Sequence, residues 1–197
     1  MATPIPNSST GGFLQPITSV LDDDALVDFL QGLIVGITGI QGQYVRPRWQ
    51  AEPPDLPPDS VTWCAFGIVN READPFDYET HSSNANYGYN TQQRHEVLHL
   101  LASFYGPGAN GLAALLRDGL QVKQNLEYLT PQNMGLVSSG NLLNVPEQIK
   151  EKWYYRSDLS FAIKRQLVRE YAILDLASST VILQTDVPPL TETITVT

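Results

Sequence analysis

The chain has 197 residues, of which 42% are apolar and only 17% charged, and it carries a formal net charge of −9 at pH 7. One domain with a sizeable core is the default at this length, and with no lysine before Lys123 and no basic block, binding to phosphate backbones through a basic patch is disfavoured. The single cysteine, Cys64, excludes a disulfide framework or a cysteine-rich zinc site within one chain. The first residues show no basic segment followed by an apolar stretch, and nowhere is there a run of about 18 apolar residues. A soluble chain made in the cytosol, with no membrane partner, is therefore expected.

Residues 1–20 are rich in Ser, Thr, Pro, Gly and Asn and read as a flexible arm. Asp22-Asp23-Asp24 then opens a helix, with carboxylates at its positive end. Leu26, Phe29, Leu30, Leu33 and Ile37 recur at helical spacing, and the helix is expected to end between Gly36 and Gly39. Residues 43–60 read as irregular. Within them, Glu52-Pro53-Pro54-Asp55-Leu56-Pro57-Pro58-Asp59 should run extended as a rigid surface link. Val61 to Arg71 is nearly all apolar and predicts a strand buried on both faces, with Cys64 as a small core residue rather than a nucleophile.

Residues 72–89 are polar, and Ser82 to Tyr89 reads as a loop or the tip of a long hairpin. The acidic group Asp74, Asp77, Glu79 and His81 lacks calcium-loop spacing and reads as solvated. A strand follows over roughly Thr91 to Tyr105 and stops at Gly106-Pro107-Gly108. After it, Leu112, Leu115, Leu116 and Leu120 line one side of a second helix expected to end near Asn125. Met134 to Val145 reads as a strand, with Ser138-Ser139-Gly140 as a turn. The clearest alternation lies in 156–169. Leu159, Phe161, Ile163 and Leu167 share a face there, and Ser160, Lys164 and Gln166 point the other way. Trp153, Tyr154 and Tyr155 read as sheet packing or subunit contact. Tyr171 to Thr185 supplies a further strand centred on Val181-Ile182-Leu183, and Pro188-Pro189 closes the domain. Thr191 to Thr197 is a β-prone tail suited to joining a neighbour's sheet. The order of elements predicts an α+β fold, a mostly antiparallel sheet flanked by two α-helices. The expected organisation is an arm (1–20), one α+β domain (21–186) and a tail (187–197).

His95-Glu96-Val97-Leu98-His99 has two incompatible readings. On a helix, residues four apart bring their Cβ atoms to roughly 6 Å, and His-Glu-x-x-His becomes the zinc-peptidase arrangement. On a strand the same spacing spans about 13 Å and the two imidazoles cannot share an ion. The alternation of Leu98, Leu100, Ala102 and Phe104 against Val97, His99, Leu101, Ser103 and Tyr105 favours the strand. His99 is also the last histidine, and the next glutamate is Glu127, so no third ligand stands at the usual spacing. No catalytic, cofactor-binding or metal-binding residue is therefore assigned. A metallopeptidase using His95, Glu96 and His99 remains the alternative.

Several segments, in order, resemble the neck or tail terminator proteins of tailed bacteriophages. They are Tyr44-Val45-Arg46-Pro47-Arg48-Trp49-Gln50, Thr62-Trp63-Cys64-Ala65-Phe66-Gly67, Ser103-Phe104-Tyr105-Gly106-Pro107 and Arg117-Asp118-Gly119-Leu120. Pro146-Glu147, Trp153-Tyr154-Tyr155-Arg156-Ser157-Asp158-Leu159 and Arg169-Glu170-Tyr171 complete the set. The resemblance spans roughly residues 25–186. It implies a structural virion protein and not an enzyme, built as a ring of six copies at the neck and assembled in the host cytoplasm. It further implies that the ring caps the tail tube, stops its polymerisation and joins the tail to the head. Its implied partners are itself, tail tube and sheath proteins, and a head-completion or connector protein, with DNA passing through the lumen unbound. A head–tail connector or baseplate component of similar fold is the neighbouring reading. The 72–92 segment and the proline-rich link are the expected contact surfaces, chosen for their length and polarity.

Overall fold

The computed structural model describes residues 11–83, 88–149, 151–174, 179–183 and 192–196. Helix α1 (Asp23–Thr38) has Asp23 and Asp24 in its first turn and buries Leu26, Leu30, Leu33 and Ile34. Phe29 and Ile37 pack against the same core. The helix stops where expected, because Gly39 adopts a left-handed conformation and its N–H donates to Val35 O at 2.8 Å.

The stretch 43–60 is not wholly irregular. After a 3₁₀ turn (Gly42–Tyr44), β1 (Val45–Pro47) runs parallel to β2 (Trp63–Ala73), with Val45 opposite Cys64 and Pro47 opposite Phe66. Three residues are too few to show a period, so only the non-local pairing reveals this strand. Strand β2 also corrects an expectation: it is not buried on both faces. Cys64 and Phe66 face the core, but Val69 is 50% exposed. An irregularity between Ile68 and Asn70 shifts the register, and the remaining residues of β2 meet solvent.

Residues 72–89 are likewise more ordered than their composition predicts. Strand β2 continues to Ala73, β3 spans Tyr78–Ser83 and pairs with β4, and β4 (Gly88–Tyr105) begins before Tyr89. Residues 84–87 lie outside the described set. Polar, largely exposed strand residues give no apolar alternation to read. In β4, Leu98, Leu100, Ala102 and Phe104 are all fully buried, as the alternation requires. Gly106 then turns the chain sharply at φ 99°, where a Cβ would fall 2.6 Å from Val61 O.

Helix α2 (Ala109–Gly119) ends six residues before Asn125, and a one-turn helix α3 (Lys123–Leu126) follows, so the described residues add a short third helix to the two expected. The buried positions are Ala109, Ala113, Leu116 and Leu120, whereas Leu115 is 47% exposed. Leu115 lies about 100° around the helix from Leu116 and misses the core. Strand β5 (Met134–Asn144) runs through Ser138-Ser139-Gly140, which forms an irregularity inside the strand and not a turn. Strands β6 (Glu147–Ile149) and β7 (Lys152–Tyr154) form a small antiparallel pair, and β8 (Arg156–Ile173) buries Leu159, Phe161 and Ile163. Strands β9 (Ser179–Leu183) and β10 (Glu192–Val196) pair antiparallel, so the β-prone tail pairs within its own chain. Pro188-Pro189 lies outside the described residues.

The fold is α+β, with a mixed, mostly antiparallel sheet. Its strand order is β1-β2-β4-β8-β5, with β3 joined to β4. By contacts the chain forms two compact units: 20–78 with 93–168, and 1–19 with 79–92 and 169–197. In the first unit, one face of the sheet and helices α1 and α2 enclose a single core. In the second, Ile17 N–H donates to Glu170 O at 2.7 Å, and Thr18 Oγ1 accepts from Glu170 N–H at 3.0 Å. Residues 17–18 are thus tied down within the segment read as an arm.

Candidate interaction surfaces

The structure resolves the His-Glu-x-x-His question by geometry. All five residues lie in β4, so the strand reading holds. Glu96 points to the core side and is buried with Arg165, whose Nε and Nη2 each approach Glu96 Oε1 at 2.5 Å. His95 and His99 lie on the other side and each faces a different acid. His99 Nε2 is 3.4 Å from Glu72, and His95 Nδ1 is 3.8 Å from Asp74. The carboxylate that a peptidase would use as base is thus neutralised inside the core, away from both imidazoles.

Arg165 is 2% exposed and also donates to Leu21 O at 2.5 Å and to Asp22 Oδ1 at 3.3 Å. Asp22 accepts a second hydrogen bond from Arg71 at 2.7 Å. This explains why Asp22 precedes α1 without capping it through its side chain. Partial burial pushes the Asp22 carboxyl up, but the Arg71 hydrogen bond and the charges of Arg165 and Arg71 outweigh it and hold it below its ordinary value. Sequence reading missed this network, although its signal was present. Alternation places Arg165 with Ile163 and Glu96 with Leu98, two opposite charges on apolar faces.

The acidic group 74–81 does not act as a unit. Asp74 faces His95, Asp77 lies 3.5 Å from Arg94, and Glu79 accepts a hydrogen bond from Asn90. His81 Nδ1 is 2.9 Å from Asn90 Oδ1. Among the described residues no three His, Cys, Asp or Glu side chains form a group that could hold a metal ion. Cys64 is wholly buried, and desolvation pushes its thiol well up, which makes it an inert core residue.

The open side of the sheet carries a different chemistry. Trp63 and Tyr105 are register partners and stack at 4.5 Å between ring centroids. Arg46 lies 5.8 Å over the Trp63 ring and Arg156 lies 5.7 Å over Tyr105, so two aromatic rings are held between two guanidinium groups. Arg46 also donates to Asp55 O at 2.7 Å, which ties the proline-rich link to the sheet. Arg156 grips Asp158 through two bonds of 2.8 Å and also pairs with Glu147. These bonds raise the Arg156 pKa, against the opposing effect of burial. The Tyr105 hydroxyl is pushed up by desolvation, partly offset by Arg156 and Arg48.

Beside this ladder lies a hollow of about 280 Å³ lined by Leu56, Pro57, Val61, Trp63, Tyr105 and Tyr154, with Asp59 and Glu147 at its margin. Trp153 and Tyr155, which flank Tyr154 in sequence, are 66% and 70% exposed. A second groove, about 450 Å³, is lined by Leu136, Val137, Lys164 and Gln166 among others. Both lie in the unit formed by 20–78 and 93–168. Trp49 covers Gly67 so closely that a Cβ there would meet its ring at 2.8 Å.

One face of the sheet is packed, and the other presents aromatics, ion pairs and grooves, the features that suit a contact surface. The chain belongs to the phage neck terminator protein family, whose profile matches residues 24–187. It is thereby a structural protein of the bacteriophage neck. Among curated proteins none matches the chain.

Proposed function

We propose that this chain forms a ring of six copies that caps the tail tube, stops its polymerisation and joins the tail to the head. The observation that carries the reading is the family match over residues 24–187. The open sheet face supports it, because it offers unlike surfaces within one compact unit. A tube grows while each layer presents a face that the next layer matches. A terminator matches that face below and offers a different one above, with contacts closed within the ring and heterologous between layers. The 72–92 segment serves the layer contacts, and it carries Phe76 and Tyr78 largely exposed. The net charge of −9 lets DNA pass the ring without being held.

Particles made without this protein provide the test. Electron micrographs should show overlong tails or tails lacking heads. Tails of normal length joined to filled heads would overturn the proposal. Deleting residues 80–90 should reproduce the defect if the 72–92 segment is the layer contact.

A further inference from the structure

We infer that the aromatic hollow beside the proline-rich link of one copy docks against the Lys164 groove of the next copy. The inference rests on the ring reading above and names the surfaces that close the ring. A closed ring needs a heterologous contact, two different patches on every copy that match each other. One compact unit of this chain displays such a pair. The hollow is aromatic and acidic: Trp63, Tyr105 and Tyr154 line it with an exposed Leu56, and Asp59 and Glu147 line it too. The groove joins Leu136 and an exposed Val137 to the polar side chains of His95, Asn133 and Gln166, and its Lys164 makes no ion pair with a described residue.

Charge selects this pairing over other meetings of two copies. At −9 per chain, copies repel each other unless a local cation meets a local anion. Glu147 is already held by Arg156, whereas Asp59 accepts only a long 3.4 Å contact from the Tyr154 hydroxyl. Asp59 is thus the carboxylate available to Lys164 of the neighbour. Aromatic side chains beside such a pair are the residue types that dominate association energies.

The sheet edges argue against joining by open backbone pairing. At the β1 edge, Val45 O is taken by Gln31 Nε2 at 2.6 Å, and Pro47 has no N–H to offer. At the β5 edge, two irregularities break the ladder, between Leu136 and Ser138 and between Ser139 and Leu142. At these two edges, side-chain surfaces suit the contact better than backbone pairing does.

A charge exchange tests this directly. Native mass spectrometry and sedimentation are run on the full chain, on Asp59→Lys, on Lys164→Asp and on the double variant. Each single change should raise the concentration needed for ring assembly by about tenfold or more, since every contact in the ring loses its pair. The double variant restores the attraction with reversed sign and should recover assembly. An equimolar mixture of the two single variants should also recover it, because alternating copies then meet opposite charges at every contact. Unchanged urea midpoints should show that the exposed substitutions leave the fold intact. Rings that persist in both single variants, or that neither the double variant nor the mixture recovers, would overturn the assignment and leave the ring itself standing. If the unaltered chain forms no ring, either in solution or on purified tail tubes, both readings fall.

Discussion

The two faces of the central sheet are built from the same strands but by different rules. On the face covered by α1 and α2, Leu98, Leu100, Ala102, Phe104, Leu159 and Ile163 are all fully buried. On the open face, the register partners Trp63 and Tyr105 sit half-exposed between Arg46 and Arg156. The first arrangement gains free energy from removing apolar area from water, and the strand period sets it. The second fixes side-chain positions through stacking and charge, with much of its surface left accessible. A fold that separates these tasks can change its contacts without disturbing its core.

The largest expected effect comes from opening the packed face. Phe104→Ala should lower the unfolding free energy by about 3–5 kcal/mol, seen as a shifted urea midpoint. Trp63→Ala on the open face should lose less than half as much, mainly one ring stack and one cation–π contact. Equal losses would mean that the two faces share the stability and that the contrast is wrong.

Next comes the charged pair buried on the packed face, Glu96 with Arg165. Glu96→Gln leaves Arg165 only Asp22, 3.3 Å away and shared with Arg71, as a counter-charge, and Arg165→Met strands Glu96. Each should cost about 3 kcal/mol. The double change Glu96→Leu with Arg165→Met should recover most of that loss, since a buried pair contributes little net stability over well-packed apolar residues. A zinc peptidase would instead lose hydrolysis with Glu96→Gln at unchanged stability, so chemical denaturation and a casein-cleavage assay together separate the two roles.

How far the sequence carries this contrast depends on the range of the interactions involved. Alternation in 96–105 and 156–169 is a local property, and it placed the packed face of β4 from Leu98 to Phe104 and of β8 from Leu159 to Ile163, whereas Leu167 is only half-buried. Gly39 and Gly106 marked real chain turns for the same reason. Strand β1 was invisible because its three residues become a strand only by pairing with Val61-to-Arg71 chain nearby in space. The partial exposure of β2 was missed because an apolar run does not reveal a register shift at Ile68–Asn70. The open-face ladder joins residues 46, 63, 105 and 156, and no window of sequence holds all four. Its members did appear within the segments that carried the family resemblance, but resemblance alone does not say that they touch.

The smallest expected effect tests where the packed face meets the start of α1. Asp22 is held below its ordinary carboxyl value of 3.8 by Arg71 and Arg165, against a desolvation that raises it. A depressed folded-state value means that the ionised form is favoured in the native chain. The resulting stabilisation is complete above the unfolded value and is lost as pH falls through the lower folded one. Asp22→Asn keeps the shape of the side chain and removes its charge, so it should destabilise by about 0.2–1 kcal/mol at pH 7, the scale of a partly exposed ion pair. Urea midpoints of the two proteins should converge as pH falls below 3.8, with most of the change in the acid limb and little between pH 5 and pH 8. A difference that stays constant into strong acid would show that Asp22 acts through backbone geometry ahead of α1 and not through its charge.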